Sequence, residues 1–256
     1  MKRNVFMVCG ILLLVTSMLL ATGPGLAFAG TTKLIFADMA SPKSVTAKCV
    51  KWWGTEIEKR TKGKVKFEYY WGASLVGAYE QLESVKKNVI QVTPYYSGYH
   101  PDVAPIPLIA LFPMMNMGSL ESGLKAANKF FLTNAQVQAE FKKNNVKYMN
   151  PLFTAHGYMW FKVPLKSISD FKGLTVRAFG PFLTFFGALG SSLVSVPVPE
   201  IYNSLERGVV KATLLYLTLG VALNLPEVTD FLNVSNLGHN CGMPMVMNLD
   251  TWNRLP

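Results

Sequence analysis

The stretch PLKSISDFKGLTVRAFGP, Pro164 to Pro181, aims one arginine out of an otherwise apolar strand. After the turn Asp170-Phe171-Lys172-Gly173, residues Leu174 to Phe179 alternate with the period of a short β-strand. Leu174, Val176 and Ala178 face one way; Thr175, Arg177 and Phe179 face the other. A guanidinium beside an aromatic ring at a strand end suits a carboxylate, because its planar fork donates two parallel hydrogen bonds and stays charged. The same alternation also fits a surface arginine on a solvated strand face.

The first 29 residues read as a secretory signal. Lys2 and Arg3 form a basic start, Val5 to Ala21 is an uncharged apolar run, and Ala27-Phe28-Ala29 offers a small-x-small cleavage pattern. Cleavage after Ala29 leaves Gly30 first and places the mature chain in the periplasm. The apolar run falls just short of a comfortable membrane span, so removal is favoured over an uncleaved anchor. Cys9 lies inside the run, which argues against a lipid-anchored cysteine. Removing the signal takes away two cations and no acids, lowering the formal charge from +10 to +8. The lysines are scattered, and no basic run interleaved with aromatics appears, so no nucleic-acid partner is expected.

Cys49 and Cys241 remain after processing. An exported protein permits a bridge between them, but two independent buried thiols fit equally well. His100, His156 and His239 lack metal-ligand spacing, so neither metal nor cofactor is expected.

The mature 227 residues suffice for one large or two modest domains. Lys33–Ala37 reads as a strand. Ser44–Thr61 reads as a helix with Val45, Cys49, Trp52, Trp53 and Ile57 buried, stopped by Gly63. Lys64–Tyr70 is a second strand, Ala78–Lys87 a second helix and Val89–Thr93 a third strand. Helices over Leu120–Leu132 and Ala135–Lys143 follow a proline-rich connection. This alternation indicates an α/β fold. One pattern recurs. The helix ending LESVKKN enters the strand VIQV, and the helix IYNSLERG enters VVKAT, with Asn88 and Gly208 at the left-handed positions. Two similar lobes follow from this echo: residues 30–153, residues 154–239, and a return toward the first lobe over 240–256.

Six segments in this order resemble the extracytoplasmic substrate-binding proteins of TRAP (tripartite ATP-independent periplasmic) transporters, of the DctP type. They are EIEKRTKGKV (56–65), YYWGASLVGAYEQLESVKKN (69–88), PLIALFPMM (107–115), SISDFKGLTVRAFGP (167–181), VPVPEIYNSLERGVV (196–210) and VMNLDTWNRLP (246–256). The resemblance implies a bilobal, periplasmic-binding-protein-like α/β fold that closes on a small organic acid. It further implies delivery to a permease of small and large membrane subunits, driven by an ion gradient. The family's carboxylate-holding arginine falls on Arg177.

The chain departs from the family pattern in two places. Asn88-Val-Ile-Gln91 stands where glycine and aspartate are usual, and Lys211 replaces the second aspartate. Around the expected cleft, Thr213-Leu214-Leu215-Tyr216 and Gly157-Tyr158-Met159-Trp160 offer aromatic and aliphatic groups instead of polar anchors. A monocarboxylate with an apolar or aromatic body is therefore expected, held by Arg177, Phe179, Tyr216, Leu215 and Trp160, with Leu214 packing in the core. From the first lobe, Met39, Trp71, Tyr95, Tyr96 and Ser97 are expected at strand ends, and Glu80 at a helix start. Residues 251–256 read as a helix opening capped by Asp250. The family pattern continues beyond this point, which fits a truncated record, a fragment or a degenerate copy, and exposed apolar surface and poor solubility are expected.

An exported enzyme is the rival class, but the chain holds no G-x-S-x-G elbow, phosphate loop or dinucleotide fingerprint. A ligand-sensing module built on the same cleft is the other alternative.

Overall fold

In the computed structural model, residues 31–114, 118–152, 155–234, 237, 239, 240 and 243–255 are described. The signal segment and Cys241 lie outside them. The chain opens with β1 (Thr32–Ala37), α1 (Val45–Arg60), β2 (Val65–Tyr70), α2 (Gln81–Lys86) and β3 (Val92–Pro94). A long connection carrying 3-10 turns at Ser97–Tyr99 and Ile106–Leu111 leads to α3 (Leu120–Thr133) and α4 (Ala135–Lys143). Then come β4 (Val146–Pro151), β5 (Ala155–His156), β6 (Tyr158–Phe161), β7 (Thr175–Arg177) and α5 (Pro181–Ala188). The chain goes on through β8 (Ser192–Val194), α6 (Ile201–Glu206), β9 (Ala212–Leu215) and α7 (Leu217–Ala222). It closes with β10 (Phe231–Asn233), β11 (His239–Asn240), β12 (Pro244–Asn248) and α8 (Leu249–Asn253).

These elements build two five-stranded mixed sheets, ordered β2-β1-β3-β12-β4 and β10-β6-β9-β7-β8. The chain passes between the sheets from β4 to β6 and returns from β10 to β12. Both passages are paired antiparallel in the small ribbon β5-β11, with His156 opposite His239 and Ala155 opposite Asn240. The fold is therefore bilobal α/β.

Each sheet is covered on both faces. In the first, Phe131, Phe141, Tyr148, Ile90 and Val85 form one core, and Leu34, Phe36, Val50, Met245 and Met247 the other. In the second, Val176, Phe182 and Phe186 pack on one side, and Ile201, Leu205, Trp160 and Leu225 on the other. A further small cluster joins the lobes: Met39, Tyr96, Tyr99 and Met243 meet Val198 and Tyr216.

The recurring left-handed residues are present, with φ 62° at Asn88 and 72° at Gly208. Each ends a short helix and admits the chain to a strand that starts later than its apolar run, at Val92 and at Ala212. Gln91 carries the first junction. Its Oε1 accepts from the Ile35 N–H at 2.8 Å, and its Nε2 donates to the Asn88 carbonyl and side chain, both at 3.1 Å. Lys211 is exposed, while its backbone bonds Thr175 and Lys162, so its side chain stands in solvent.

The expected inner face of α1 requires correction. Val45, Cys49 and Trp52 are exposed, Trp52 at 67 %. The helix instead packs through Ala47, Val50 and Gly54, flanked by Trp53 and Ile57. Gly54 leaves room for the ring of Tyr69, so small residues set the close approach and the largest aromatic is left outside. Ser44 caps this helix through the Ala47 N–H at 3.1 Å. At the last helix the cap is Asn248, which accepts from the Thr251 N–H at 2.9 Å, rather than Asp250.

Candidate ligand-binding site

Arg177 closes β7 and is fully buried. Its Nε and Nη2 donate to the carbonyl of Val196 at 2.9 and 2.8 Å, which fixes the plane of the guanidinium. Nη2 also donates to the hydroxyl of Tyr99 at 3.0 Å, a contact from the second sheet to the connection after the first. The ring of Phe179 lies 5.0 Å from the guanidinium carbon, within cation–π range. Nη1 is buried and has no hydrogen-bond partner. Among the described residues no carboxylate forms an ion pair with Arg177. A buried cation with an unmatched donor costs free energy until an anion meets it.

Beside this group lies an interlobe cavity with about 30 Å³ of room for water centres. That holds a water or two and is too small for an organic acid with the lobes as they stand. Met39, Tyr96 and Tyr99 line it from one side; Phe179, Phe182, Leu214, Leu215, Tyr216 and Leu219 line it from the other. The lining is almost wholly apolar and aromatic.

Its polar features come from three tyrosines, one of which bonds an acid that lies outside the lining. Tyr96 donates its hydroxyl to Oδ1 of Asp38 at 2.8 Å. Asp38 follows β1, is 1 % exposed, and accepts also from the Ala40 N–H at 3.2 Å. Burial pushes its carboxyl up to about 6, with the Tyr96 bond pulling the other way. Burial likewise raises Tyr99, opposed by the charge of Arg177. Tyr216 is raised by burial and then by Asp38, while Arg177 pulls it down. Tyr216 therefore feels both opposite charges.

Of the residues expected at the site, Phe179, Leu215, Tyr216, Met39 and Tyr96 line the cavity, and Arg177 stands outside the lining, touching it through Tyr99 and Phe179. The structure does not bring the others to the cavity. Trp71 packs against Phe36 at 4.9 Å between ring centres, inside the first lobe. Trp160 is buried behind β9 and donates its indole N–H to the Leu215 carbonyl at 3.2 Å. Ser97 is fully buried and does not line the cavity. Tyr95 belongs to the first lobe's core, stacked on His100. Glu80 is exposed at the start of α2 and makes no side-chain cap bond. Leu214, expected in the core, packs there and lines the cavity as well. Tyr99 and Asp38 were not anticipated. The only trace of Tyr99 in the sequence is its place three residues after Tyr96, which a 3-10 turn converts into a shared face.

The chain matches the family described as bacterial extracellular solute-binding protein, family 7 (DctP), over residues 36–256. A solute-binding protein of Albidiferax ferrireducens is 25 % identical over 204 residues, covering 78 % of this chain and 60 % of that protein. A monocarboxylate 2-oxoacid-binding periplasmic protein of a Nostoc species is 26 % identical over 208 residues, covering 78 % and 55 %. The chain thus spans little more than half the length of these curated relatives. Among solved structures, a TRAP periplasmic solute-binding protein from Desulfovibrio salexigens, an open complex with the C-terminus of a symmetry mate in its ligand-binding site, superposes with a TM-score of 0.68. It is 27 % identical, over 89 % of this chain and 69 % of that one. With the family profile spanning both lobes and this fold shared, the chain belongs to the DctP family of TRAP solute-binding proteins.

Proposed function

We propose that the chain captures a small monocarboxylate with an apolar or aromatic body and delivers it, outside the cytoplasm, to a TRAP permease of small and large membrane subunits. Arg177 carries this reading: a buried guanidinium with an unmatched Nη1, beside a cavity walled by aromatic and aliphatic groups. One charge-assisted bond contributes roughly 1.5–3 kcal/mol net, whereas micromolar binding needs about 8 kcal/mol. The balance comes from burying the ligand's apolar body as the lobes close, less the ordering cost. Arg177 is the one cation in contact with the described lining residues through a hydrogen bond or ring contact, at Tyr99 and Phe179, and a dicarboxylate would call for a second. The Nostoc relative's name, a monocarboxylate binder, points the same way. Lobe closure gives a permease two shapes to distinguish. The role is capture, with no chemical step on the ligand.

Thermal shifts and calorimetry across a panel of organic acids test the reading. Aromatic and branched aliphatic monocarboxylates raise the melting temperature with concentration, and succinate does so more weakly. Arg177→Ala abolishes the shift, and Arg177→Lys keeps the charge but loses most of the affinity. Tighter binding of succinate than of any monocarboxylate overturns the proposed selectivity. A panel with no shift at all overturns carboxylate capture.

A further inference from the structure

We infer that Asp38 is a second polar anchor of the cavity, so that the favoured ligand is a carboxylate that also carries an N–H or O–H donor at its far end. This rests on reading the cavity as a carboxylate site. Asp38 belongs to the first lobe and Arg177 to the second, and neither is neutralised by an ion pair among the described residues. Asp38 is 1 % exposed, and its Oδ2 is buried without a hydrogen-bond partner, as is Nη1 of Arg177. Two lone pairs of Oδ1 are already engaged, by the Tyr96 hydroxyl and the Ala40 N–H, so the open acceptor is Oδ2.

Its position is set by the cavity wall. Met39, the next residue, and Tyr96, its bonded partner, both line the cavity. Tyr216, lining it from the opposite lobe, senses Asp38 and Arg177 together. Neither Asp38 nor Arg177 is itself in the lining; each stands behind it, Asp38 bonded to Tyr96 and Arg177 bonded to Tyr99, and the rest of the lining is apolar, so a ligand that reaches both must supply its own polar ends. A ligand anion on Nη1 and a donor on Oδ2 would remove both unmet groups at once, which is the condition for burying charge without penalty. A purely apolar acid satisfies one end and leaves a buried carboxylate oxygen unpaired. Discrimination of this kind is strong, because the unpaired site group is what penalises the wrong ligand.

Matched probes on the whole chain decide the matter: benzoate, 3-hydroxybenzoate and 3-methoxybenzoate, and cyclohexanecarboxylate with its 3-hydroxy derivative. All share the carboxylate, and only the hydroxy forms can donate to Oδ2. By calorimetry, the hydroxy acid of at least one scaffold binds about tenfold or more tightly than its donor-free partners. In Asp38→Ala, with an unchanged circular dichroism spectrum, that preference falls to within about twofold, whereas Asp38→Asn retains part of it through the amide oxygen. Equal affinities within both scaffolds in the wild type overturn the Asp38 assignment and leave carboxylate capture standing. Failure of every probe to bind the wild type overturns carboxylate capture, and this inference with it. Because the wild-type comparison suffices, the result does not depend on whether the variants fold.

Discussion

Arg177 in the second lobe donates through Nη2 to the hydroxyl of Tyr99 in the first at 3.0 Å, and this bond spans the cleft next to the unmatched Nη1. The tyrosine oxygen accepts from Arg177, which leaves its own proton for an acceptor in the cavity that Tyr99 lines. Arginine and tyrosine thus form a pair of donors contributed by two different lobes.

Tyr99→Phe removes that partner and one donor while keeping the ring stacked on Phe179, whose centre lies 5.8 Å away. Affinity for the preferred carboxylate falls about tenfold, and unliganded stability drops by about 1 kcal/mol. Calorimetry and urea unfolding read the two effects. An unchanged affinity would remove Tyr99 from the site.

Gly98→Ala is expected to obstruct closure. A Cβ at Gly98 would sit 2.5 Å from Cδ2 and 2.9 Å from Cε2 of Phe179 across the cleft, and a Cβ at Gly180 would meet the Cα of Gly98 at 3.0 Å. The two glycines therefore allow backbone-to-backbone approach between the lobes. The variant binds ligand at least tenfold more weakly, and its scattering radius in the presence of ligand stays larger than that of the wild type. Its unliganded melting temperature falls as well, because the new methyl enters the same interlobe contact as the Arg177–Tyr99 bond.

Asp38 makes stability depend on pH in an unusual direction for an acid. Its folded value of about 6 lies above the ordinary 3.8, so the folded state holds the proton more tightly than the unfolded chain does. Its contribution is greatest below about pH 4 and is lost as pH rises through 6, a cost at neutral pH of about 3 kcal/mol for a shift near two units. Asp38→Asn is accordingly more stable than the wild type at pH 7.5. The advantage shrinks between pH 6 and pH 4. Paired urea titrations across that range check it, and a difference that is flat with pH would reject the buried carboxylate as its source.

Gly220→Ala tests the wall behind the cavity. A Cβ there runs into the indole of Trp160, which is itself held by its bond to the Leu215 carbonyl. The backbone of α7 has to shift, at about 1–3 kcal/mol in unfolding free energy. Denaturant midpoints measure it.

Much of the fold was legible where local chemistry decides it. The period-two runs of β1 and β2, the serine before α1 and the left-handed Asn88 and Gly208 all depend on neighbours a few residues away. The place of Arg177 at the end of β7 beside Phe179 was legible for the same reason, since strand alternation and an adjacent phenylalanine lie within one segment. What could not be read is set by distant contacts. Trp52 has every apolar qualification for the inner face of α1, yet Gly54 and Ala47 let the sheet approach that face more closely. Trp71 follows β2 as expected and Trp160 lies within β6, but each packs into the core of its own lobe. Asp38 and Tyr99 gain their roles only when two lobes, joined through 139 positions of separation between Asp38 and Arg177 in the numbering, face each other.

The ribbon of β5 and β11 has a mechanical consequence. Because outgoing and returning chains are laced to one another, neither can slide without dragging its mate, and the halves swing like a book on a double-stitched spine. On the proposed role, an occupant seated near Arg177 is announced far from its seat as a change of angle.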